Sequence, residues 1–154
     1  MIRKATVRDV KAIHRLLKKY ADRGELLPRA LGELYGDVRE FCLFEDECDG
    51  SIIGCCGVHV YWEDLAEIRS LAVCEKHQRE GIGSGLITAA LGEASELGIT
   101  RVFTLTYRCD FFEKHGFRIV DKLTLPQKVW ADCIKCVKFP DCDEIAMLKC
   151  LGGV

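Results

Sequence analysis

A glycine-rich segment is the part of the sequence whose residue types and spacing point most directly to chemistry. It reads Gln78-Arg-Glu-Gly81-Ile-Gly83-Ser-Gly85, with three glycines at alternate positions. Glycine lets a backbone turn sharply and approach a ligand closely, and the amides at a helix start attract anions. Arg79 adds a cation that can pair with a phosphate oxygen. The segment therefore predicts a phosphate-binding loop that leads into a helix; the alternative is a glycine-rich helix start without a ligand.

The spacing of these glycines excludes two common nucleotide-binding loops. A nucleotide-hydrolase loop ends in Gly-Lys-Ser/Thr, and this segment does not. A dinucleotide-binding fold requires G-x-G-x-x-G after the first strand of a βαβ unit. Here the pattern is G-x-G-x-G, it lies in mid-chain and a hairpin precedes it. The phosphate that this loop is expected to hold therefore belongs to another class of ligand.

Three segments around this loop resemble the GNAT acetyltransferase superfamily. They are the strand Glu67–Val73 (EIRSLAV), the loop 78–85, which fits the Q/R-x-x-G-x-G/A signature, and Phe111–Phe117 (FFEKHGF). The resemblance implies an N-acetyltransferase that holds the pyrophosphate of acetyl-coenzyme A on the loop amides. It also implies that the pantetheine arm pairs with backbone near Leu71 and Val73. The cofactor-binding residues that it implies are Leu71, Ala72, Val73, Gln78, Arg79, Glu80, Gly81, Ile82, Gly83, Ser84, Gly85 and Phe112.

Two side chains are candidate acid–base groups for acetyl transfer. The amine must lose a proton before it attacks the thioester, and the departing thiolate can accept one. Glu67 is a candidate base, acting directly or through water, and the alternative is a solvated carboxylate at a strand start. Many family members carry a tyrosine as the thiolate's proton donor where this chain has Phe112. Tyr107 is a candidate replacement, and the alternative is a tyrosine packed within its strand.

A second and more detailed resemblance concerns the amine that accepts the acetyl group. As far as about residue 126, the chain is similar to the acetyltransferase domain of bacterial N-acetylglutamate synthases, which begin arginine biosynthesis. The matching segments include Gly24–Arg29 and Leu105–Arg108. Guanidinium groups bind carboxylates in bidentate geometry, so a pocket with two arginines favours acetylation of the α-amine of L-glutamate. The substrate-binding residues that the resemblance implies are Arg29, Ser70 and Arg108, and Lys128 is a candidate third cation for a substrate carboxylate.

Two other functions remain open on sequence alone. The acceptor can be another small amine or a protein N-terminus, in which case the arginines are solvated surface charges. The chain can also be a non-catalytic module that binds coenzyme A or a metal and regulates a partner. Turnover of acetyl-coenzyme A on a panel of amines separates these functions from glutamate acetylation.

The C-terminal segment 128–150 is rich in cysteine. Cys133 and Cys136 form a C-x-x-C pair, Cys142 follows, and Cys150 is a candidate fourth thiol. This spacing allows two thiolates to bind one tetrahedral metal, and zinc is the default in a reducing compartment. The sequence therefore predicts a structural zinc site on these four residues, with metal-free thiols as the alternative. Two other cysteines, at 55–56, lie in an apolar strand-like run and are predicted to be buried.

The secondary-structure elements that must position these groups form a recognisable order. A strand and an amphipathic helix come first, then a hairpin through Asp49-Gly50, then strands that alternate with helices. The helix after the glycine loop is predicted to bury a face that includes Leu97 and to stop at Gly98. We therefore expect an α+β fold, with a central mixed sheet flanked by helices as in GNAT proteins, in a single domain over residues 1–154.

Composition and charge limit the partners of this chain. At 154 residues it has the size of one domain, and its net charge of -2 gives no reason to expect nucleic acid. No apolar run approaches the roughly 20 residues of a membrane span, and the start has no secretory signal pattern. We expect a cytoplasmic protein that acts on a small-molecule amine and binds neither nucleic acid nor membrane. A homodimer is compatible with the sequence.

Overall fold

The structure, a computed structural model, describes residues 1–126, 129 and 144–152, which form a mixed sheet flanked by helices. The strands are β1 (Ile2–Lys4), β2 (Phe41–Glu45), β3 (Ile52–Trp62), β4 (Leu65–Val73), β5 (Arg101–Thr106), β6 (Arg118–Ile119) and β7 (Ile145–Cys150), and the α-helices are α1 (Val10–Ala21), α2 (Leu31–Gly36), α3 (Ile82–Glu96) and α4 (Cys109–Glu113). The sheet has the strand order β1-β2-β3-β4-β5-β7-β6. All neighbouring strands in it are antiparallel except the β4–β5 pair. The expected α+β fold is confirmed.

The sheet separates two of the three apolar clusters that the described residues form. Helices α1 and α2 cover one face, and α3 and α4 cover the other. Cys55 and Cys56 are adjacent on β3 and therefore point to opposite faces, where each is fully buried, as expected. In the described part of the chain, no helix has both the length and the apolar character that crossing a membrane requires.

Helix α3 departs from the sequence prediction at its C-terminal end. Its buried face runs through Leu86, Ile87, Ala90 and Ala94. Leu97, which was expected to continue this face, is 60% exposed and lies beyond the last helical residue. The chain has already begun its turn at this position because the glycine that follows adopts a positive φ of 89°.

Strands β4 and β5 pair over a short distance and then separate. Their parallel register ends with the pair Glu67 and Phe103. One residue further on, the Thr104 hydroxyl donates a hydrogen bond to the Ile68 carbonyl oxygen at 2.9 Å, in place of a backbone bond. Among the described residues, the rest of β4 has no strand partner on this side, and the gap opens into a cleft.

A β-bulge bends β4 just where the gap opens. Cys55 on β3 faces Ala72, whereas Gly57 faces Arg69, so β4 has one residue more than β3 in this interval. Within the interval Ser70 adopts a positive φ of 57°, which is uncommon for a residue with a side chain. A bulge of this kind kinks the strand and re-aims its side chains. It thereby turns the second half of β4 away from β5.

A second bulge lies on β3. Val60 faces Ala66 and Trp62 faces Leu65, which leaves Tyr61 as the extra residue. Tyr61 is buried and both of its neighbours on the strand are exposed. This alternation places the tyrosine on the inward face of β3, close to the start of β4.

Candidate active site

The gap between β4 and β5 forms a cleft of about 1520 Å³. Most of the residues that the sequence predicted for the cofactor and the substrate line it, including side chains distant in sequence. Among the predicted residues that the structure describes, only Glu80, Gly85 and Cys150 do not line the cleft. The predicted residues in its wall are Arg29, Glu67, Ser70, Leu71, Ala72, Val73, Gln78, Arg79, Gly81, Ile82, Gly83, Ser84, Tyr107, Arg108 and Phe112.

The loop before α3 has the geometry of an anion-binding nest. Arg79 and Gly81 adopt positive φ values of 70° and 80°, while the helix starts immediately afterwards. The first backbone hydrogen bond of the helix runs from the amide of Gly85 to the carbonyl oxygen of Gly81 at 3.0 Å. The amides of residues 82–84 therefore have no intrahelical partner. Such a run of free amides at a helix start can hold the diphosphate of coenzyme A.

Steric limits explain one glycine of this loop. A Cβ on Gly83 would lie 3.3 Å from the ring of Phe111, so a larger residue here would require this ring to shift by a few tenths of an ångström. The two predicted residues of the loop outside the cleft have other contacts. Glu80 is exposed and lies 2.9 Å from His77 Nδ1, and Gly85 backs onto β1.

The end of β4 is tied to α1 and to the glycine-rich loop. The Val73 carbonyl oxygen accepts a hydrogen bond from the Tyr20 hydroxyl. Gln78 Nε2 donates to the same hydroxyl at 2.7 Å and lies 3.4 Å from the carbonyl oxygen. These bonds fix the signature glutamine against the strand.

Glu67 is a buried carboxylate at the branch point of β4 and β5. It is 9% exposed, and Tyr61 donates a hydrogen bond to its Oε1 at 3.2 Å. Burial raises the pKa of Glu67 to about 7, although the nearby charge of Arg69 and the Tyr61 hydrogen bond lower it. A carboxylate whose pKa is close to 7 can accept a proton and release it again at neutral pH.

Phe112, at the position of the family's tyrosine proton donor, and Tyr107, its candidate replacement, have different surroundings. Phe112 is buried in the cleft wall and packs edge-on against Phe111 and Phe117, with ring centroids 5.3 Å and 5.2 Å away. Its ring carries no proton to donate. Tyr107 lies just after β5, lines the cleft and is 41% exposed, so its hydroxyl is not enclosed within a strand.

Arg29 is held at the opposite wall by acidic side chains. Its guanidinium donates to the Ser70 hydroxyl at 2.7 Å and to Asp37 Oδ2 at 2.6 Å, and it also pairs with Glu33. The side chain of Arg29 is 8% exposed. The structure thus brings Arg29 and Ser70 together, as predicted for substrate-binding residues, but it also surrounds the arginine with carboxylates.

A second arginine in the cleft wall was missed by the sequence analysis. Arg69 Nη2 lies 3.1 Å from His59 Nδ1, 3.2 Å from Glu40 Oε1 and 3.5 Å from Asp37 Oδ2. One signal of this cluster was present in the sequence. Polar residues recur at alternate positions in two apolar strands, as His59 and Tyr61 in β3 and as Glu67 and Arg69 in β4.

Arg108 differs from both of these arginines. It is exposed, lines the cleft and precedes α4, and its backbone amide donates to the Thr106 hydroxyl at 2.8 Å. Its guanidinium forms no ion pair with any described residue. Within the described part of the chain, no carboxylate competes with an acid from solution for this guanidinium.

Most of the predicted zinc site cannot be compared with the structure. Lys128, Cys133, Cys136 and Cys142 lie outside the described residues. Cys150 is described and is exposed at the end of β7. Within residues 1–126, 129 and 144–152, no three potential metal ligands lie together.

Comparison with known proteins places this cleft in a family. Residues 10–117 match the acetyltransferase (GNAT) family. An uncharacterized N-acetyltransferase from Chlorobaculum tepidum is 41% identical over 150 residues, which cover 97% of this chain and 96% of the relative. An amino-acid acetyltransferase from Mycobacterium tuberculosis is 37% identical over 131 residues, covering 84% of this chain and 75% of that protein.

A solved structure shares both the fold and the ligand expected here. N-acetylglutamate synthase from Neisseria gonorrhoeae, complexed with coenzyme A and N-acetyl-glutamate, superposes with a TM-score of 0.89 at 27% identity. The match covers 98% of this chain but only 35% of that longer protein. With a free-amide loop, a splayed strand pair and a family match over most of its length, this chain belongs to the GNAT family and is an acetyl-CoA-dependent N-acetyltransferase.

Proposed function

We propose that this enzyme transfers the acetyl group of acetyl-CoA to the α-amine of L-glutamate, the first step of arginine biosynthesis. The observation that carries the proposal is the exposed guanidinium of Arg108 in the same cleft as Ser70, Arg29 and the buried Glu67. A guanidinium without an acidic partner favours an acceptor that brings its own carboxylate. Relatives named amino-acid acetyltransferase, and a structure neighbour complexed with N-acetyl-glutamate, support the same acceptor.

In this proposal each part of the cleft has one task. The amides of residues 82–84 bind the diphosphate of acetyl-CoA, and Arg79 adds a positive charge beside it. Glu67 accepts the proton that the substrate ammonium must lose, directly or through water. Unpaired backbone amides on the splayed part of β4 stabilise the negative charge that develops on the thioester oxygen. Tyr107 is the proposed proton donor to the departing thiolate.

The proposal is tested by following the release of free thiol from acetyl-CoA with a panel of amino acids. Arg108→Ala is expected to raise the KM for glutamate by about 10- to 100-fold, because a hydrogen bond to a charged group contributes about 1.5–3 kcal/mol. Its affinity for CoA is expected to stay the same.

Arg118→Ala is the matched control for this variant. Arg118 is an exposed arginine on β6 outside the main cleft, so its removal is expected to leave both constants unchanged. Normal glutamate kinetics in Arg108→Ala would contradict the proposed acceptor.

A second acceptor class is favoured by the surroundings of Arg29. Glu33 and Asp37 already neutralise this arginine, so part of the pocket is better suited to an acceptor without a second carboxylate. Such an acceptor would be another small amine or a protein N-terminus. The same panel, extended to neutral amino acids, polyamines and short peptides, distinguishes the two classes by their values of kcat/KM.

A further inference from the structure

Glu67 is surrounded by residues that the family resemblance did not assign. We propose that Tyr61 and Arg69 are positioning residues that set the orientation and the ionisation of the Glu67 carboxylate. The inference rests on the proposed role of Glu67 as the base, but it makes a statement about the carboxylate that can be measured without any substrate.

The first part of the inference concerns Tyr61. This residue is the inserted one in the bulge of β3, and both of its neighbours on the strand face solvent. Its hydroxyl donates a hydrogen bond to Glu67 Oε1, and the two oxygens are 3.2 Å apart. Its ring is held by contacts with His59 and Phe103, at centroid distances of 4.8 Å and 5.6 Å. The hydroxyl is thus a fixed donor to one oxygen of the carboxylate, which favours the ionised form.

The second part concerns Arg69. It follows Glu67 by two positions on β4, so the two side chains share one face of the sheet. Contacts with Asp37, Glu40 and His59 hold its guanidinium in place. Burial alone lowers the pKa of Arg69. The carboxylates of Glu67 and Glu40 raise it by more, so its pKa lies above the ordinary value and the guanidinium stays charged.

Arg69 also carries an unusual cost. Its Nε is buried and has no hydrogen-bond partner among the described residues. A buried donor without a partner costs about 1–3 kcal/mol, and a neutral side chain of similar size would avoid this loss. A guanidinium kept in this position at such a cost is consistent with a need for its positive charge beside Glu67.

Groups from β3, from β4 and from the segment before β7 act on Glu67. Burial and the carboxylate of Glu144, just before β7, raise its pKa. Arg69 on its own strand, and Tyr61 and His59 on β3, lower it. These three groups therefore favour the ionised carboxylate, which is the form that can accept a proton from the amine.

The inference is tested by titrating Glu67 directly, by carbon NMR of protein labelled at its glutamate carboxyl groups, with Glu67→Gln used to assign the signal. Tyr61→Phe and Arg69→Gln are each expected to raise the pKa of Glu67 by about one unit, in line with the usual effect of a lost hydrogen bond or a lost neighbouring charge. Arg69→Lys keeps a charge and should recover part of the shift. Arg101→Gln is the matched control, since Arg101 lies on β5 and pairs with Asp64 in the turn between β3 and β4.

Kinetics provide the second readout. The pH at which kcat/KM is half-maximal is expected to rise in the same variants by the same amount, while affinity for CoA stays constant. An unchanged pKa in both folded variants would overturn the inference. If Arg69→Gln does not fold, Tyr61→Phe decides alone, because it keeps the ring and removes only the hydroxyl.

The two proposals can fail separately. If the pKa of Glu67 moves as expected while Glu67→Gln keeps normal activity, the positioning network is supported and the proposed base is wrong. If wild-type enzyme shows no turnover with glutamate but turns over another amine with the expected shifts in pH profile, only the proposed acceptor is wrong.

Discussion

The two ends of the cleft are built from different parts of the chain. At the cofactor end the binding groups are backbone amides of residues 82–84, placed by the positive φ angles of Arg79 and Gly81. At the acceptor end the groups are polar and charged side chains of residues 29–40, around α2, and of β3 and β4, with Arg29 and Arg69 both in contact with Asp37. One end is specified by backbone conformation, and the other by a network of charges.

Because of this difference, the two ends of the cleft are expected to respond differently to pH and to substitutions. Backbone amides carry no titratable proton at physiological pH, so the cofactor end is expected to be insensitive to pH and sensitive to changes in loop conformation. Ion pairs and a buried carboxyl respond to pH and to each substitution of a neighbour. The acceptor end is therefore the place where specificity and pH dependence are expected to vary.

The largest expected effect is the loss of the proposed base. Glu67→Gln keeps the size of the side chain but cannot accept the proton, and kcat is expected to fall by about 1000-fold, within the range for general-base catalysis. Affinity for CoA, measured by calorimetry, should not change if the two ends are independent. Glu96→Gln, at the exposed end of α3, is the control. A decrease of less than about tenfold would remove Glu67 from the mechanism.

The raised pKa of Glu67 should also affect how the free energy of unfolding depends on pH. The pKa of Glu67 is raised from its ordinary value of 4.5 to about 7 in the folded protein. Between these values the folded protein holds a proton that the unfolded chain has lost, so the free energy of unfolding falls as pH rises from 4.5 to 7.

The expected loss is about 3 kcal/mol, at 1.36 kcal/mol for each pKa unit. Urea unfolding of wild type and Glu67→Gln at pH 5 and pH 8 measures it as a difference, since the other titrating groups are the same in both proteins. Parallel pH dependence in the two proteins would show that Glu67 titrates normally.

The cofactor end can be disturbed through one backbone angle. Gly81 has a φ of 80° and no atom within 4 Å of an added Cβ, so Gly81→Val tests conformation alone. A left-handed conformation costs about 1–2 kcal/mol for a residue with a side chain, and the Kd for CoA is expected to rise by about tenfold.

Gly92→Ala is the control, because Gly92 lies within α3, also with open space around it. An unchanged Kd in Gly81→Val would mean that the nest geometry is not needed for binding. A change in its kcat–pH profile would contradict the independence of the two ends.

The smallest expected effect is a gain in affinity. Glu33 pairs with Arg29 and is half exposed, whereas Asp37 is more buried and is shared with Arg69. The Glu33 carboxylate competes with a substrate carboxylate for Arg29, and it is the easier of the two acidic partners to replace. Glu33→Gln removes this competing charge. The KM for glutamate is expected to fall by about two- to fivefold, the range of a partly exposed ion pair. An increase in KM would instead indicate that Glu33 itself contacts the acceptor.

The sequence predicted the cofactor end far better than the acceptor end, for a physical reason. Glycines of the loop act through local backbone conformation, and their spacing is visible in eight consecutive residues. The contacts of Arg69 depend instead on the register of β3 with β4 and on two bulges. Neither Tyr61 nor His59 stands near Arg69 in the sequence, and no local pattern reveals a register shift.

A smaller error has the same origin. Leu97 fits the apolar period of α3 but lies past its end, because chain reversal at Gly98 overrides the pattern. A turn that the helical period does not encode decides the outcome.

The shared carboxylate of Asp37 links two events in the cleft. One of its oxygens lies 2.6 Å from Arg29 and 3.5 Å from Arg69. A substrate carboxylate that took over Arg29 would leave Asp37 with Arg69 as its remaining cationic partner. Binding of the acceptor would then change the electrostatic field around Arg69, whose charge acts on Glu67. The pKa of the Glu67 carboxyl in the bound complex would therefore differ from its pKa in the free enzyme. Profiles of kcat and of kcat/KM against pH would accordingly have different midpoints.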